Sequence, residues 1–339
     1  MNGAFFWGRR GPTNSNRRRL LAGLGSVLAG AAWPAFGQQA TRPRIAWLSV
    51  ISKTADTAFL EAFLEGMALL GYIPGKNFEL DERWGDNSME RLEQLALEAA
   101  KARPAVYVTQ GPALRVARKL PGTTPVVFGN SGDPIDAGVA QSLARPGGRF
   151  TGITFLSYPL AGKRVEFLHE IAPKARRLAV VSNPDHFGDE KEFSATRDAA
   201  LGLRLEVSHY PASNPAQLES ALSAAAAARA EALVVHPDAL MVQQRAAIGR
   251  FTADRRIPAI SGWAVIAEGG CLLTYGPNLR VSYRRLAYFV DRVLRGGNPA
   301  EIPIELPSTV ELVVNLKTAK ALGITVPPSL LLRADRVIV

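Results

Sequence analysis

Residues 45–50, Ile45-Ala46-Trp47-Leu48-Ser49-Val50, and the helical pattern that follows them decide the fold. The hexapeptide is a short, nearly all-apolar run of the kind found in a strand buried on both faces. Downstream, Phe59, Leu60, Phe63, Leu64 and Met67 recur at helical spacing on one face. Asp56 is placed to cap that helix, and Gly71 to stop it.

The same strand–helix unit repeats outward from this pair. Phe78–Asp81 reads as a second strand. Asn87 with Glu90 has the spacing of a capping box and opens a helix to about Lys101. Ala105–Thr109 is a buried-type strand, and Gly111-Pro112 opens the next helix. Pro125–Phe128 is another strand, and the loop Gly129–Pro134 leads into a further expected helix. Pro146, Gly147 and Gly148 then break the pattern. The rhythm restarts with strands at Leu178–Ser182, Leu205–His209, Leu233–Val235, Ala259–Ile260 and Leu272–Tyr275. Helical patterns occupy 190–201, 218–230, a segment reaching Arg255, and Leu279–Leu294. Alternation of this kind predicts an α/β chain with parallel sheets covered on both faces. Two successive sets predict two Rossmann-like lobes. No period of 20–50 residues points to a solenoid.

The N-terminus reads as a separate, non-globular signal. Asn16-Arg17-Arg18-Arg19-Leu20-Leu21 leads into a mildly apolar run, Ala22–Ala32, and then to Ala35-Phe36-Gly37. A basic segment, a short apolar segment and a small-x-small site make a secretory signal over residues 1–37. Its paired arginines are twin-arginine-like. The apolar run is too short for a bilayer span, which needs roughly 20 residues. The reading is a soluble, exported protein of the periplasm. With its sole cysteine at Cys271, it is not a lipoprotein.

The formal charge of +10 invites a nucleic-acid reading. Half of it comes from Arg9, Arg10, Arg17, Arg18 and Arg19 inside that signal. The other basic residues are interspersed with acids, and nucleic-acid binding needs a basic stripe or block. One cysteine excludes an intramolecular disulfide. His169, His186, His209 and His236 have no metal-ligand spacing, and no phosphate-cradling or nucleophile-elbow motif occurs. No cofactor and no metal are expected.

In open α/β sheets, ligands bind at the carboxyl ends of strands. Small polar residues fall at those ends: Ser49, Thr109-Gln110-Gly111, Asn130-Ser131-Gly132-Asp133, Ser182-Asn183, Asp238 and Ser261. Free N–H groups at helix starts suit a carboxylate, and Asp133 and Asp238 suit an ammonium group. Trp47, Phe155, Tyr158, Trp263 and Tyr275 are candidates for an apolar wall. Each position has a plainer reading, as a helix cap or a core residue.

Two long blocks carry a resemblance. Residues 129–152, GNSGDPIDAGVAQSLARPGGRFTG, and residues 311–338, ELVVNLKTAKALGITVPPSLLLRADRVI, closely resemble ABC-transporter substrate-binding proteins of the tryptophan/tyrosine type. AFLEGMALLGYIPGKNFELDERW, LAGKRVEFLHEIAP and EGGCLLTYGPNL are similar to the same family, so the resemblance spans 43–339. It implies a periplasmic-binding fold of type I, with three crossovers near Thr151–Phe155, Tyr275–Pro277 and Pro303–Ser308. It further implies lobes at 43–153 plus 277–304 and at 154–276 plus 305–339. A ligand cleft lies between them, and no bond is made or broken there.

The partners implied are a small organic ligand, such as an amino acid or a carboxylate, and an inner-membrane ABC permease with its ATPase, served by a monomer. By the same resemblance Thr109, Gln110, Gly111, Ser131, Gly132, Asp133, Thr154, Phe155, Asn183, Asp238 and Tyr275 face the ligand. Ser182 and Ala239-Leu240-Met241 depart from family aromatics and are expected to widen the pocket or change what it stacks, which counts against an aromatic amino acid as the ligand. Two other roles use the same scaffold. One is a ligand sensor that presents its closed form to a receptor. The other is an enzyme built on Asp133 and Asp238.

Overall fold

A computed structural model describes residues 42–53, 57–155 and 157–339. The signal expected at 1–37 and the cap expected at Asp56 lie outside the described residues.

The first lobe is built from β1 (Arg44–Ser49), α1 (Ala58–Leu69), β2 (Glu79–Trp84), α2 (Met89–Lys101), β3 (Val106–Gln110), α3 (Ala113–Lys119), β4 (Val126–Asn130) and β5 (Phe150–Thr154). Its sheet is all parallel, in the order β2-β1-β3-β4-β5. Strand β1 shows why the chain folds this way. Ile45 and Trp47 join the core beneath α1, while Ala46 and Leu48 join the core beneath α2 and α3. A strand whose alternate residues are apolar on both sides needs helices on both faces.

The second lobe contains a single 3-10 turn (Tyr158–Leu160), then α4 (Ala161–Ile171), β6 (Arg177–Ser182), α5 (Asp189–Gly202), β7 (Glu206–Pro211), α6 (Pro215–Ala227), β8 (Ala232–Val235), α7 (Ala239–Gln243), α8 (Arg245–Arg255), β9 (Ala259–Ser261), α9 (Ala264–Glu268) and β10 (Leu273–Pro277). After β10 comes α10 (Leu279–Leu294), which packs back onto α1 and the first sheet. The chain ends with β11 (Val310–Asn315), α11 (Leu316–Leu322), α12 (Pro328–Arg333) and β12 (Arg336–Ile338). The second sheet runs β12-β11-β10-β9-β8-β6-β7, with only the β10–β11 pair antiparallel. The chain therefore passes between the sheets three times: after β5, after β10, and between α10 and β11.

Several local expectations change. The cap of α2 is Ser88, whose Oγ accepts from Arg91 N at 3.1 Å, rather than Asn87. Asn87 takes up a left-handed backbone, φ 70°, just before it. No helix follows Pro134. A single turn there ends at Gly138, φ 65°. The helix expected to reach Arg255 is two helices parted at Gln244. Thr151–Thr154, expected within the first crossover, belong to strand β5, which pairs with β4. Gly152 makes that pairing possible. Its φ is 143°, and a Cβ there would lie 2.1 Å from the Phe128 carbonyl oxygen, so no other residue fits.

Candidate functional site

The carboxyl ends of both sheets face one another across a cavity of about 390 Å³, counting its open mouth. The first lobe contributes Gln110, Gly111 and Pro112 after β3, Ser131 after β4, and Ile51 and Phe59. The second contributes Asp238, Ala239, Val242 and Trp263. Phe155 lies in the first connection, and Leu279 and Tyr283 lie on α10. The floor is aromatic. Phe59 stacks on Tyr283 with centroids 4.6 Å apart, Tyr283 lies 5.7 Å from Phe155, and Phe155 meets Trp263 edge-on at 6.4 Å. This row runs from one lobe to the other and joins their cores.

Few polar groups break the apolar lining. Ser49 Oγ, buried at the end of β1, donates to Gln110 Oε1 at 2.8 Å and so fixes the amide that borders the cavity. Asp238 caps α7. Its Oδ1 accepts from Leu240 N at 2.8 Å and from Asn183 Nδ2 at 3.0 Å. Trp263 is buried, and its Nε1–H finds no acceptor among the described residues. A buried donor without a partner costs free energy unless a ligand or water supplies the acceptor.

Of the candidates from the sequence, Gln110, Gly111, Ser131, Phe155 and Asp238 line this cavity. Ser49, Thr109, Thr154 and Ser261 are fully buried next to it. Thr154 Oγ1 donates to Gly132 O at 2.8 Å, and Ser261 Oγ donates to Val235 O at 2.7 Å, so both hydroxyls hold backbone in place. Asn183 borders an adjoining space. Tyr275 turns away from the cleft. Its ring meets Phe167 edge-on at 5.0 Å, and its carbonyl accepts from Arg164 Nε at 2.8 Å. Trp47 is core, fully buried 5.6 Å from Phe63.

Ser182 does not line the cavity. Its Oγ meets His209 Nε2 at 2.7 Å, and His209 stacks on Phe193. Ala239 does line it, whereas Met241 is fully buried. Ile51, Phe59, Pro112, Val242, Leu279 and Tyr283 were not among the expected site residues. Their only mark in the sequence is an apolar residue near the start of a helix or the end of a strand.

Gly132 and Asp133 lie where the lobes touch. A Cβ on Gly132 would fall 2.5 Å from Phe187 Cβ and O in the loop after β6. Ser131 Oγ is 2.5 Å from His186 Nε2 in the same loop. Asp133 Oδ1 accepts from Ile135 N at 2.8 Å. Its Oδ2 is 3.5 Å from Lys191 Nζ, which also pairs with Asp136. At the connection between lobes, Arg164 and Glu192 form a fully buried ion pair at 2.5 Å, and Arg164 Nη2 donates to Ser157 Oγ at 3.1 Å. Burial pulls the Arg164 pKa below its ordinary value, and the Glu192 charge pushes it back up.

Cys271 is buried away from the cavity, and burial pushes its thiol up to about 12. Among the described residues, no three His, Cys, Asp or Glu side chains are placed to hold a metal, and no helix is long and apolar enough to cross a membrane.

Residues 44–338 of this chain match the family model of the ABC transporter substrate binding proteins. The chain belongs to that family. The family is one of substrate-binding proteins, not enzymes: its members bind small-molecule ligands and work with ABC transporter permease components. Relatives agree. The Tyrosine-binding protein of Clostridioides difficile strain R20291 is 24% identical over 267 residues, or 77% of this chain and 75% of the relative. The ABC domain from Streptococcus pneumonia in complex with L-Trp superposes with a TM-score of 0.81 at 20% identity, covering 88% of this chain and all of that one. A ligand-free, open substrate-binding protein with adhesive properties from Clostridium difficile gives a TM-score of 0.65 at 20% identity, covering 87% and 99%. The fold is that of the type I periplasmic binding proteins.

Proposed function

We propose that this substrate-binding protein is the periplasmic capture component of an ABC importer for an amino acid with an apolar, aromatic side chain. The observation that carries this is the aromatic cavity between the lobes, bordered by the Asp238 carboxylate, the Gln110 amide and the unpartnered Trp263 indole N–H. A largely apolar cleft with a few placed polar groups is what a small amphipathic ligand needs. Asp238 suits the ammonium group. The tyrosine-binding relative and the L-Trp complex support the same ligand class.

In this reading residues 43–153 with 277–304, and 154–276 with 305–339, move as two bodies about the three connections. The ligand shifts the population toward the closed form by its differential affinity for it. The closed monomer then docks on a permease with its ATPase. The leader-like residues 1–37 support export to the periplasm, by a twin-arginine or a general route.

The test is a thermal-shift and calorimetric screen of the full chain, stripped by unfolding and refolding, against aromatic and aliphatic amino acids, carboxylates and purines. A ligand at a hundredfold excess over its Kd stabilises the fold by about 2.7 kcal/mol. A selective shift with aromatic amino acids is expected. No shift from any class would overturn the reading.

A further inference from the structure

Past Asp238 the cavity opens into a second chamber of about 840 Å³, counting its mouth, with Pro112, Asp238 and Ala239 bordering both. The second chamber is the more polar of the two. The first chamber has an aromatic floor, whereas Asn87, Asn183, Asn214, Gln243, Gln244 and Arg115 border the second. Both lobes contribute to it.

Arg115 is the unusual member. It sits half-buried on α3, and its guanidinium lies 4.5 Å over the ring of Phe187, which belongs to the other lobe. Its side chain has no hydrogen bond and no ion pair among the described residues. Its neighbours differ. Arg118 donates to the Ala137 carbonyl, and Arg149 donates to the carbonyls of Ala117, Leu120 and Thr124. Two acids, Asp238 and Asp185, also border the chamber, and neither forms an ion pair with Arg115. Asp238 is held by Asn183 and Leu240 N, and Asp185 is exposed on its turn. Stacking on a ring face fixes the plane of a guanidinium and leaves its edge donors unused. A planar fork of N–H groups, always charged, matches a carboxylate with two parallel bonds.

We propose that the second chamber is an anion subsite centred on Arg115, so that the ligand carries a carboxylate at its polar end. The proposal rests on the solute-binding reading above. It assigns separate tasks to separate chambers: the aromatic one takes the apolar body, Asp238 at the junction faces a cationic nitrogen, and Arg115 takes the anion. It also ties recognition to closure. Arg115 comes from the first lobe and Phe187 from the second, so the guanidinium is fixed only when the lobes meet. A ligand without the anion would fill the aromatic chamber and gain less from closing.

The experiment is calorimetric titration of the full chain with L-tryptophan, L-tryptophanamide and tryptamine, for the wild type and for Arg115→Gln and Arg115→Lys. The wild type is expected to bind L-tryptophan about 10- to 100-fold more tightly than its amide, the range of a hydrogen bond to a charged group. Arg115→Gln should erase that difference by weakening the acid alone, leaving the amide and the amine unchanged. Arg115→Lys, which keeps the charge but loses the fork, should retain part of it. Equal affinity of the wild type for acid and amide overturns the subsite, and so does an Arg115→Gln variant that weakens all three probes alike. Failure of the wild type to bind any of the three removes the aromatic amino-acid reading, and the subsite with it.

Discussion

The two lobes share an architecture but differ in what they bury. At the strand ends of the first lobe every buried polar side chain is neutral: Ser49, Thr109, Gln110, Asn130, Ser131 and Thr154. On the helices around that sheet, Asp291 of α10 is buried with Tyr72 and Arg295 as partners. The second lobe buries Arg164, Asp189, Glu192, His236 and Asp238 close to the cleft and its connections. Helix α5 explains much of this. Asp189, Glu192 and Thr196 fall on one face at spacings of three and four and point inward, toward His236 and Arg164. That anchored helix follows directly on His186 and Phe187, the residues that touch the first lobe. One lobe is thus a neutral cradle, and the other is a charged frame that carries the contact loop.

The sharpest way to break this comparison is to cut the frame. Arg164→Leu leaves Glu192 charged and buried without a partner, which costs about 3–5 kcal/mol. Urea unfolding should show that loss. The double variant Arg164→Leu/Glu192→Leu should recover most of it, because no uncompensated charge remains. The matching cut in the cradle, Ser49→Ala, removes two neutral hydrogen bonds, to Gln110 Oε1 and from Ile51 N, each worth about 0.5–1.5 kcal/mol. Equal losses in the two lobes would end the distinction.

A smaller change tests the contact between the lobes. The Cβ of Gly132→Ala would fall inside the van der Waals envelope of Phe187, so closure is obstructed. Ligand affinity should drop about tenfold, because the binding-competent closed form becomes a minor population. Gly132 is buried and the same Cβ would lie 3.2 Å from Asn130 Nδ2, so urea unfolding of the free protein measures alongside how much of the strain falls inside the first lobe. An affinity equal to wild type would mean that the 131–133 loop and Phe187 do not meet in the bound state.

Much of this arrangement is legible in the sequence, and the illegible parts have physical reasons. Alternation in Ile45–Leu48, repeated in Leu178–Val181, places helices on both faces and fixes the two sheets. Polar strand ends at Gln110, Ser131 and Asp238 mark the cleft because a small polar residue interrupts an apolar run. Ser49 and Ser261 carry the same mark for another purpose: their hydroxyls bond a neighbouring strand, and spacing does not separate the two uses. Phe59, Leu279 and Tyr283 keep the helical spacing of any core-facing residue, whether they meet the sheet or the cavity. Arg115, near Arg118 and Lys119, reads as a solvated helix face until the other lobe brings Phe187 beneath it.

The smallest expected effect is also the most specific to one lobe. All four histidines, His169, His186, His209 and His236, lie in the second lobe. Burial lowers the pKa of His209 below its ordinary 6.5, with Asp189 pulling the other way. The folded state therefore binds that proton less readily than the unfolded chain does. Its contribution to stability is intact above about pH 6.5 and is lost as pH falls from there through the depressed folded value. Hydrogen exchange between pH 7.5 and 5 should show falling protection in β6 and β7, while β1, β3 and β4 hold steady. His209→Gln should flatten the decline in β6 and β7 without altering the first sheet. A decline of the same size in both sheets would place the titrating groups outside the second lobe's core. The contrast between neutral cradle and charged frame would then lose its simplest signature in solution.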